Sequence, residues 1–312
     1  MVLIFTLLMV SILSTLTVNF SNRINEEISL TQSSVDYLRA SALAYGGINY
    51  GIALLKKEEN PDFDWVGEDW AQVKELTFEE GTVKIEIEDE CGKINLNYLT
   101  EKDEKRRVAR IEQMLELCDA IGLEYAVVAA IIDWIDANDE LTILSSVSGE
   151  NEGAENDYYM ELTPPYPCKN APIDTLEEVL MIRGVEAENY YGEKGMSNFV
   201  TVYSDGKINI NTAKEDVLKS TIQIFSDETI DETLIASIVD YRKDNPFHDL
   251  SLLEEFLPQK TVKKMVDSKF VTVKSNFFTI ESNATVGRIQ KSIIAVVERK
   301  YPDIIIRFWK ED

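Results

Sequence analysis

Two acidic runs hold the residues best suited to chemistry. Asp133, Asp136, Asn138, Asp139 and Glu140 crowd one predicted helix end, and Glu150, Glu152, Glu155 and Asp157 crowd the loop that follows. Hard oxygen donors on a flexible loop suit Ca²⁺. The spacing Asp136-x-Asn138-x-Glu140 puts Leu141 where an EF-hand requires glycine, so this is no EF-hand. On composition alone, a solvated acidic loop is the better reading.

Other chemistries are thinly represented. The single histidine, His248, falls in a predicted helix-entry loop and reads as a surface or capping residue rather than a base, yet any Ser/His/Asp mechanism must pass through it. Cys91, Cys118 and Cys168 form no CxxC pair, which argues against zinc or dithiol chemistry. Cys118 sits among Leu115, Leu117 and Ile121 and reads as core. Cys91 and Cys168 border motifs and could pair, so one disulfide and none are both open. Trp65, Trp70, Tyr158 and Tyr159 form either a ligand platform or, more commonly, packing. No carboxylate pair stands out from the acidic background, and the expectation is a protein that is not an enzyme. With 56 acidic and 31 basic residues the formal net charge is −25, which repels nucleic-acid phosphates and anionic lipid and favours a divalent cation or a basic partner.

The elements that must position these groups follow from periodicity. Met1 to Phe20 carry no charge and are long enough to span a bilayer as a helix, and the first charge is Arg23. With no basic start and no small-residue cleavage site, the segment reads as a retained helix. Ile24, Ile28, Val35, Leu38, Ala42, Tyr45, Ile48, Ile52 and Leu55 continue the helical period, with Gly46 and Gly47 as a candidate kink in the alternative of two separate helices. Beyond Pro61, Val83, Ile85 and Ile87 alternate with Lys84, Glu86 and Glu88 as a half-buried strand does.

The phrase GKINLN at Gly92–Asn97 returns as GKININ at Gly206–Asn211. Each copy reads as a short strand leading to a helix start, with Thr212 and Glu215 as a capping box in the second and Thr100 and Asp103 as a weaker version in the first. Matching helix ends follow at Ile131–Asp139 and Ile238–Phe247, so the middle of the chain holds two related modules with a larger acidic insertion in the first. FFTIES, RIQKSIIAVVERK and DIIIRFW then return to strand character, separated by NATVG and YPD. The predicted class is α+β. The long N-terminal helix packs on an antiparallel sheet and a large, mostly helical domain is inserted between strands. The divisions are 1–22 for the transmembrane part, 23–97 for the helix and first strands, 98–274 for the insert and 275–312 for the closing strands.

The apolar start, the long helix, GKINLN, IIDWIDAND, the run from Gly153 to Val185, GKININTA and the terminal AVVERK together resemble the K-type minor pseudopilins of the type II secretion system, the GspK family. The resemblance spans nearly the whole chain. It implies a type IV pilin-like fold with an inserted α-domain. It also implies a structural place at the tip of a short pseudopilus, supporting protein export across the outer membrane with I-type and J-type minor pseudopilins and other pseudopilins through the N-terminal helix. The implied location is the inner membrane, single-pass, with the head in the periplasm. Most pilin-like chains carry Glu at the fifth mature position; here it is Phe5, as in the K-type exception, which suits a subunit that ends a filament. The missing basic leader is accounted for if Met1 is the processed, methylated N-terminal residue, although a misplaced start codon looks the same.

The family also implies calcium in the α-domain. Its Gly-Ala-Glu-Asp-like segment is matched by GAEND at Gly153–Asp157, with Asn156 inserted or substituted, and the implied ligands are Asp133, Asp136, Asn138, Asp139, Glu155 and Asp157. The competing resemblance, to helix-hairpin-helix domains of DNA-uptake proteins, lacks its phosphate-binding device. Between Leu218 and Ile235 there is no Gly-hydrophobic-Gly hairpin, and several carboxylates stand there instead.

Overall fold

The computed structural model describes residues 1–57, 60, 62–144 and 151–312. Helix α1 (Val2–Lys56) is unbroken through Gly46 and Gly47, so the kinked alternative does not hold. Its first buried residue is Ala40; from there Ala44, Gly47, Ile48, Gly51 and Leu55 recur at helical spacing and lie on the sheet. The apolar part before Arg23 reaches a mean hydropathy of 2.1 and is wholly exposed. That is the signature of a helix long and apolar enough to cross a membrane.

Strands β1 (Lys74–Thr77) and β2 (Thr82–Asp89) follow. The chain then leaves the sheet for β3 (Ile94–Asn95), α2 (Glu104–Ile121), α3 (Tyr125–Ile135), α4 (Asn156–Met160), α5 (Ala187–Tyr190) and β4 (Val200–Thr201). A second excursion contains β5 (Ile208–Asn209), α6 (Glu215–Gln223), α7 (Glu232–Asp244), α8 (Gln259–Ser268) and β6 (Val271–Thr272). The chain rejoins the sheet as β7 (Phe277–Val286), β8 (Ile289–Lys300) and β9 (Asp303–Glu311). The antiparallel order is β1-β2-β7-β8-β9. Val83, Ile85 and Ile87 face inward as their alternation predicts and meet Phe278, Ile280, Ile293, Ala295, Val297 and the underside of α1.

The sequence of NATVG runs into β7, and the turn falls at Gly287 (φ 58°) rather than at Asn283. Strands β3 and β4 pair in parallel, as do β5 and β6, and a parallel pair requires a crossover, which the helices supply. Each module thus closes on itself. A second core, from Ile94 to Val271, runs through both.

The repeated phrase has the same hydrogen-bonding in both copies. Asn95 Oδ1 accepts the Asn97 amide at 3.0 Å, and Asn209 Oδ1 accepts that of Asn211 at 2.9 Å. Asn97 then exchanges two bonds with the Ile173 backbone, at 3.0 and 2.8 Å, and Asn211 does the same with Phe247, both at 2.9 Å. A side-chain amide that donates and accepts toward one residue mimics a strand partner. The predicted capping boxes are corrected here. Asp103 caps α2 through the Arg106 amide, Lys214 occupies the N-cap of α6, and the Thr212 hydroxyl donates to Asp89 instead.

Candidate functional site

The acidic residues of the first module come from three places. Helix α3 is apolar almost throughout and buries Asp133 completely in its last turn; Asp136 is its C-cap. Beyond it Asp136 Oδ1 accepts the Asn138 amide at 3.2 Å and Asn138 Oδ1 accepts the Glu140 amide at 2.7 Å, a ladder of turns that holds the run on the helix end. A short return pairs Ile143 with Glu152 and brings the chain back over α3, where Gly153 stands against Asp133. A Cβ on Gly153 would fall 2.0 Å from Asp133 Oδ2 and 2.7 Å from the Ala129 carbonyl, so only glycine fits this approach. Glu155, N-cap of α4, follows at 7% exposure.

Several oxygens here are short of partners. Asp133 Oδ1 accepts the Thr142 amide at 2.9 Å, but Asp133 Oδ2, both carboxylate oxygens of Glu155 and Asn170 Oδ1 have none. Burial, then the charges of Asp133, Asp136 and Asp139, push the Glu155 carboxyl up to about 7. Burial likewise raises Asp133 and Asp136. These four carboxylates therefore share one electrostatic field. Among the described residues, no three His, Cys, Asp or Glu side chains are gathered in a form that could hold a metal ion. The unpartnered oxygens of Asp133, Glu155 and Asn170 are hard donors of the kind a divalent cation takes, whereas Asp136, Asn138 and Asp139 already accept hydrogen bonds.

Of the predicted ligand carboxylates, Asp157 stands apart from this field. Asp157 lies exposed in the first turn of α4, and Glu150 falls outside the described residues. Asn138 and Asp139 are exposed; Asn170 Nδ2 donates to the Asn138 carbonyl at 3.2 Å and to Asp139 Oδ1 at 3.0 Å. Asn170 was not apparent in the sequence as a member. Its signal is a positive φ of 48° at a non-glycine, which fixes the amide over the acidic run.

The remaining candidates disperse. Cys91, Cys118 and Cys168 are all buried free thiols, so no disulfide joins Cys91 to Cys168. Trp70 packs edge-on against Phe278 beneath the sheet, whereas Tyr158 and Tyr159 cluster near Trp134 in the first module, so the four aromatic residues form no single platform. His248 is exposed. The N-terminus of α7, where a phosphate would dock in a DNA-binding hairpin, is occupied by the Asp231 side chain accepting from the Thr233 amide. Lys260 and Lys264 nearby are committed to Asp227 at 2.7 and 2.8 Å.

The family profile described as "Type II secretion system (T2SS), protein K" matches residues 92–205, the span of the first module from its GKIN phrase to just past β4. Type II secretion system protein K of Klebsiella pneumoniae is 26% identical over 226 residues, covering 69% of this chain and 66% of that protein. The protein K of Pseudomonas aeruginosa is 24% identical over 311 residues, covering 95% of this chain and 87% of the relative. Among solved structures, a chain of the GspK-GspI-GspJ complex from the enterotoxigenic Escherichia coli type 2 secretion system superposes with a TM-score of 0.69 at 19% identity, over 90% of this chain and 99% of that one.

Proposed function

We propose that this chain, which is similar over most of its length to protein K of type II secretion systems, is a minor pseudopilin, the structural subunit at the tip of a pseudopilus that supports protein export across the outer membrane. The observation that carries the reading is the joining of two unlike parts: a wholly exposed apolar shaft and a head with two helical modules, in the arrangement of a solved K chain over nearly the whole length of both. The shaft anchors the chain once in the inner membrane and packs with the helices of other pseudopilins; the head lies in the periplasm. Phe5 leaves no carboxylate to meet a neighbour's amine, so the shaft needs no subunit above it. The role is structural rather than catalytic.

In this reading the first module takes Ca²⁺, with Asp133, Asp136, Asn138, Asp139 and Glu155 as its holders and Asn170 as an added oxygen donor. The unpaired buried oxygens support that assignment, since a cation would neutralise carboxylates that otherwise repel one another. The partners are I-type and J-type minor pseudopilins, as in the complex that holds the solved K chain. Co-expression of the full-length chain with the two from its own genome, followed by detergent extraction and light scattering, is expected to yield one stoichiometric ternary complex. Separate elution of the three chains, together with normal export in a deletion strain, would overturn the assignment.

A further inference from the structure

Strand parity delivers a carboxylate to the interior at the seam between sheet and modules. In β2 Val83, Ile85 and Ile87 turn inward, and Asp89, two residues on, keeps the same side and is 6% exposed. Four donors converge on it, three of them from distant parts of the chain. Ser275 Oγ and Thr212 Oγ1 each donate to Oδ2 at 2.5 Å, Asn209 Nδ2 donates to the same oxygen at 3.2 Å, and the Cys91 amide donates to Oδ1 at 2.8 Å. Asn209 and Thr212 begin the second module and Ser275 follows its last strand, so one carboxyl ties both ends of that module to the sheet.

The cations nearby are already engaged. Arg299 of β8 holds the buried carboxylate of Asp64 at 2.5 and 2.6 Å, and the Ser275 amide donates to that carboxylate at 2.8 Å. Lys93 reaches Glu88 at 2.8 Å and Glu90 at 2.9 Å, and Lys214 stands 3.7 Å from Glu88. Lys274, next to Ser275, has interactions of its own. Glu68 accepts from Asn60 and Trp70. The Cys91 thiol is kept neutral, its pKa raised by burial and then by Asp89. Among the described residues, the buried carboxyls of Asp64, Glu68, Asp89 and Glu90 at the seam have two buried cations beside them, Arg299 and Lys93. Glu90 also has hydroxyl partners, Thr201 and Thr279, but it is paired with Lys93; Asp89 has hydroxyl partners and no cation among the described residues, and a hydroxyl can donate to a carboxylate or accept from a carboxylic acid.

We infer that Asp89 is a proton-linked latch: with its carboxyl protonated, the second module is firmly seated on the sheet, and loss of that proton loosens the seat. Burial drives the carboxyl up to about 7; the Ser275 and Thr212 hydroxyls oppose this, and the charge of Asp64 adds to it. An aspartate in an unfolded chain titrates near ~3.9. The folded pKa is the higher one, so the latch contributes fully below the unfolded value, and its contribution is lost as pH rises through the folded value.

The full-length chain in detergent, calcium-saturated and labelled with ¹³C at aspartate Cγ, reports this directly. One aspartate carboxyl is expected to titrate at about 7, and its signal should be absent from Asp89→Asn. Amide exchange gives the mechanical readout. Opening of the β5–β6 pair, read at the Ile208 and Ile210 amides that donate to Phe270 and Thr272, should become about tenfold more frequent between pH 6 and 8 after correction for intrinsic exchange, and this rise should vanish in Asp89→Asn. If Asp89→Asn does not fold, Ser275→Ala replaces it: losing a donor to the anion must move the midpoint higher. The inference is overturned if every aspartate titrates in the ordinary acid range, if Asp89→Asn keeps the tenfold rise, or if Ser275→Ala leaves the midpoint unmoved.

Discussion

Two adjacent glycines in α1 invite a test of how closely the helix lies on the sheet. A Cβ added at Gly47 would meet Ser282 Oγ at 2.1 Å, Val83 Cγ2 at 3.0 Å and Ile85 Cγ1 at 3.1 Å; one added at Gly46 meets nothing within 4 Å. Both changes to alanine gain the same helix propensity, about 1 kcal/mol. At Gly46 nothing opposes that gain. At Gly47 a strand or the helix must shift by more than a bond's tolerance, and overpacking of this kind costs about 1–3 kcal/mol or somewhat more. Gly46→Ala should therefore raise stability by about 1 kcal/mol and Gly47→Ala lower it by about 1–2 kcal/mol. The Ser282 hydroxyl is buried without a partner, so Ser282→Ala removes both the closest obstacle and an unsatisfied group. It should restore most of the loss, giving a coupling of about 1–2 kcal/mol in a double-mutant cycle. Thermal denaturation of the full-length protein in detergent, followed by near-ultraviolet circular dichroism, is the assay. Equal rises in Tm for the two glycine variants would refute the packing argument.

Other expectations follow from features already described. Calcium at a hundredfold above its Kd should add about 2.7 kcal/mol to stability by mass action, Mg²⁺ much less, and Asp136→Ala with Glu155→Ala should abolish most of the gain in a melting experiment. A chain beginning at Asn25 should be soluble and retain the native circular dichroism spectrum, because no residue before Ala40 is buried; an insoluble product would place core contacts nearer the start. Asn211→Ala removes both bonds to Phe247 and leaves two buried backbone groups unpaired, costing about 2–4 kcal/mol in denaturant unfolding, and Asn97→Ala should follow the same pattern at Ile173.

What could be read beforehand was what periodicity and repetition record. The uncharged start, the alternation at Val83–Ile87 and the twin GKIN phrases led to the shaft, the sheet and the two modules. A second repeat went unread: FVTV at Phe199–Val202 and again at Phe270–Val273, the closing strand of each module. Two-residue strands carry almost no periodic signal, and a parallel partner lies far away in sequence. The capping box at Thr212 failed because tertiary context claimed the hydroxyl for Asp89. The acidic field was visible as composition, but which of its members are buried depends on how the chain returns over α3 at Gly153, and no local pattern encodes that.

The pairing of Asp89 with Phe278 in register bears on the order in which the chain assembles. For the central sheet to form first, two strands separated by the entire helical insert would have to find each other, and the entropy of closing that loop must be met before any contact rewards it. Each module is a closed unit whose first and last strands already touch, so its collapse carries the distant ends together. Assembly is thereby divided into two shorter searches and a final zipping of β2 onto β7. In pulse-labelling during refolding, protection should appear at Ile94 and Ile208 before it appears at Ile85 and Ile280.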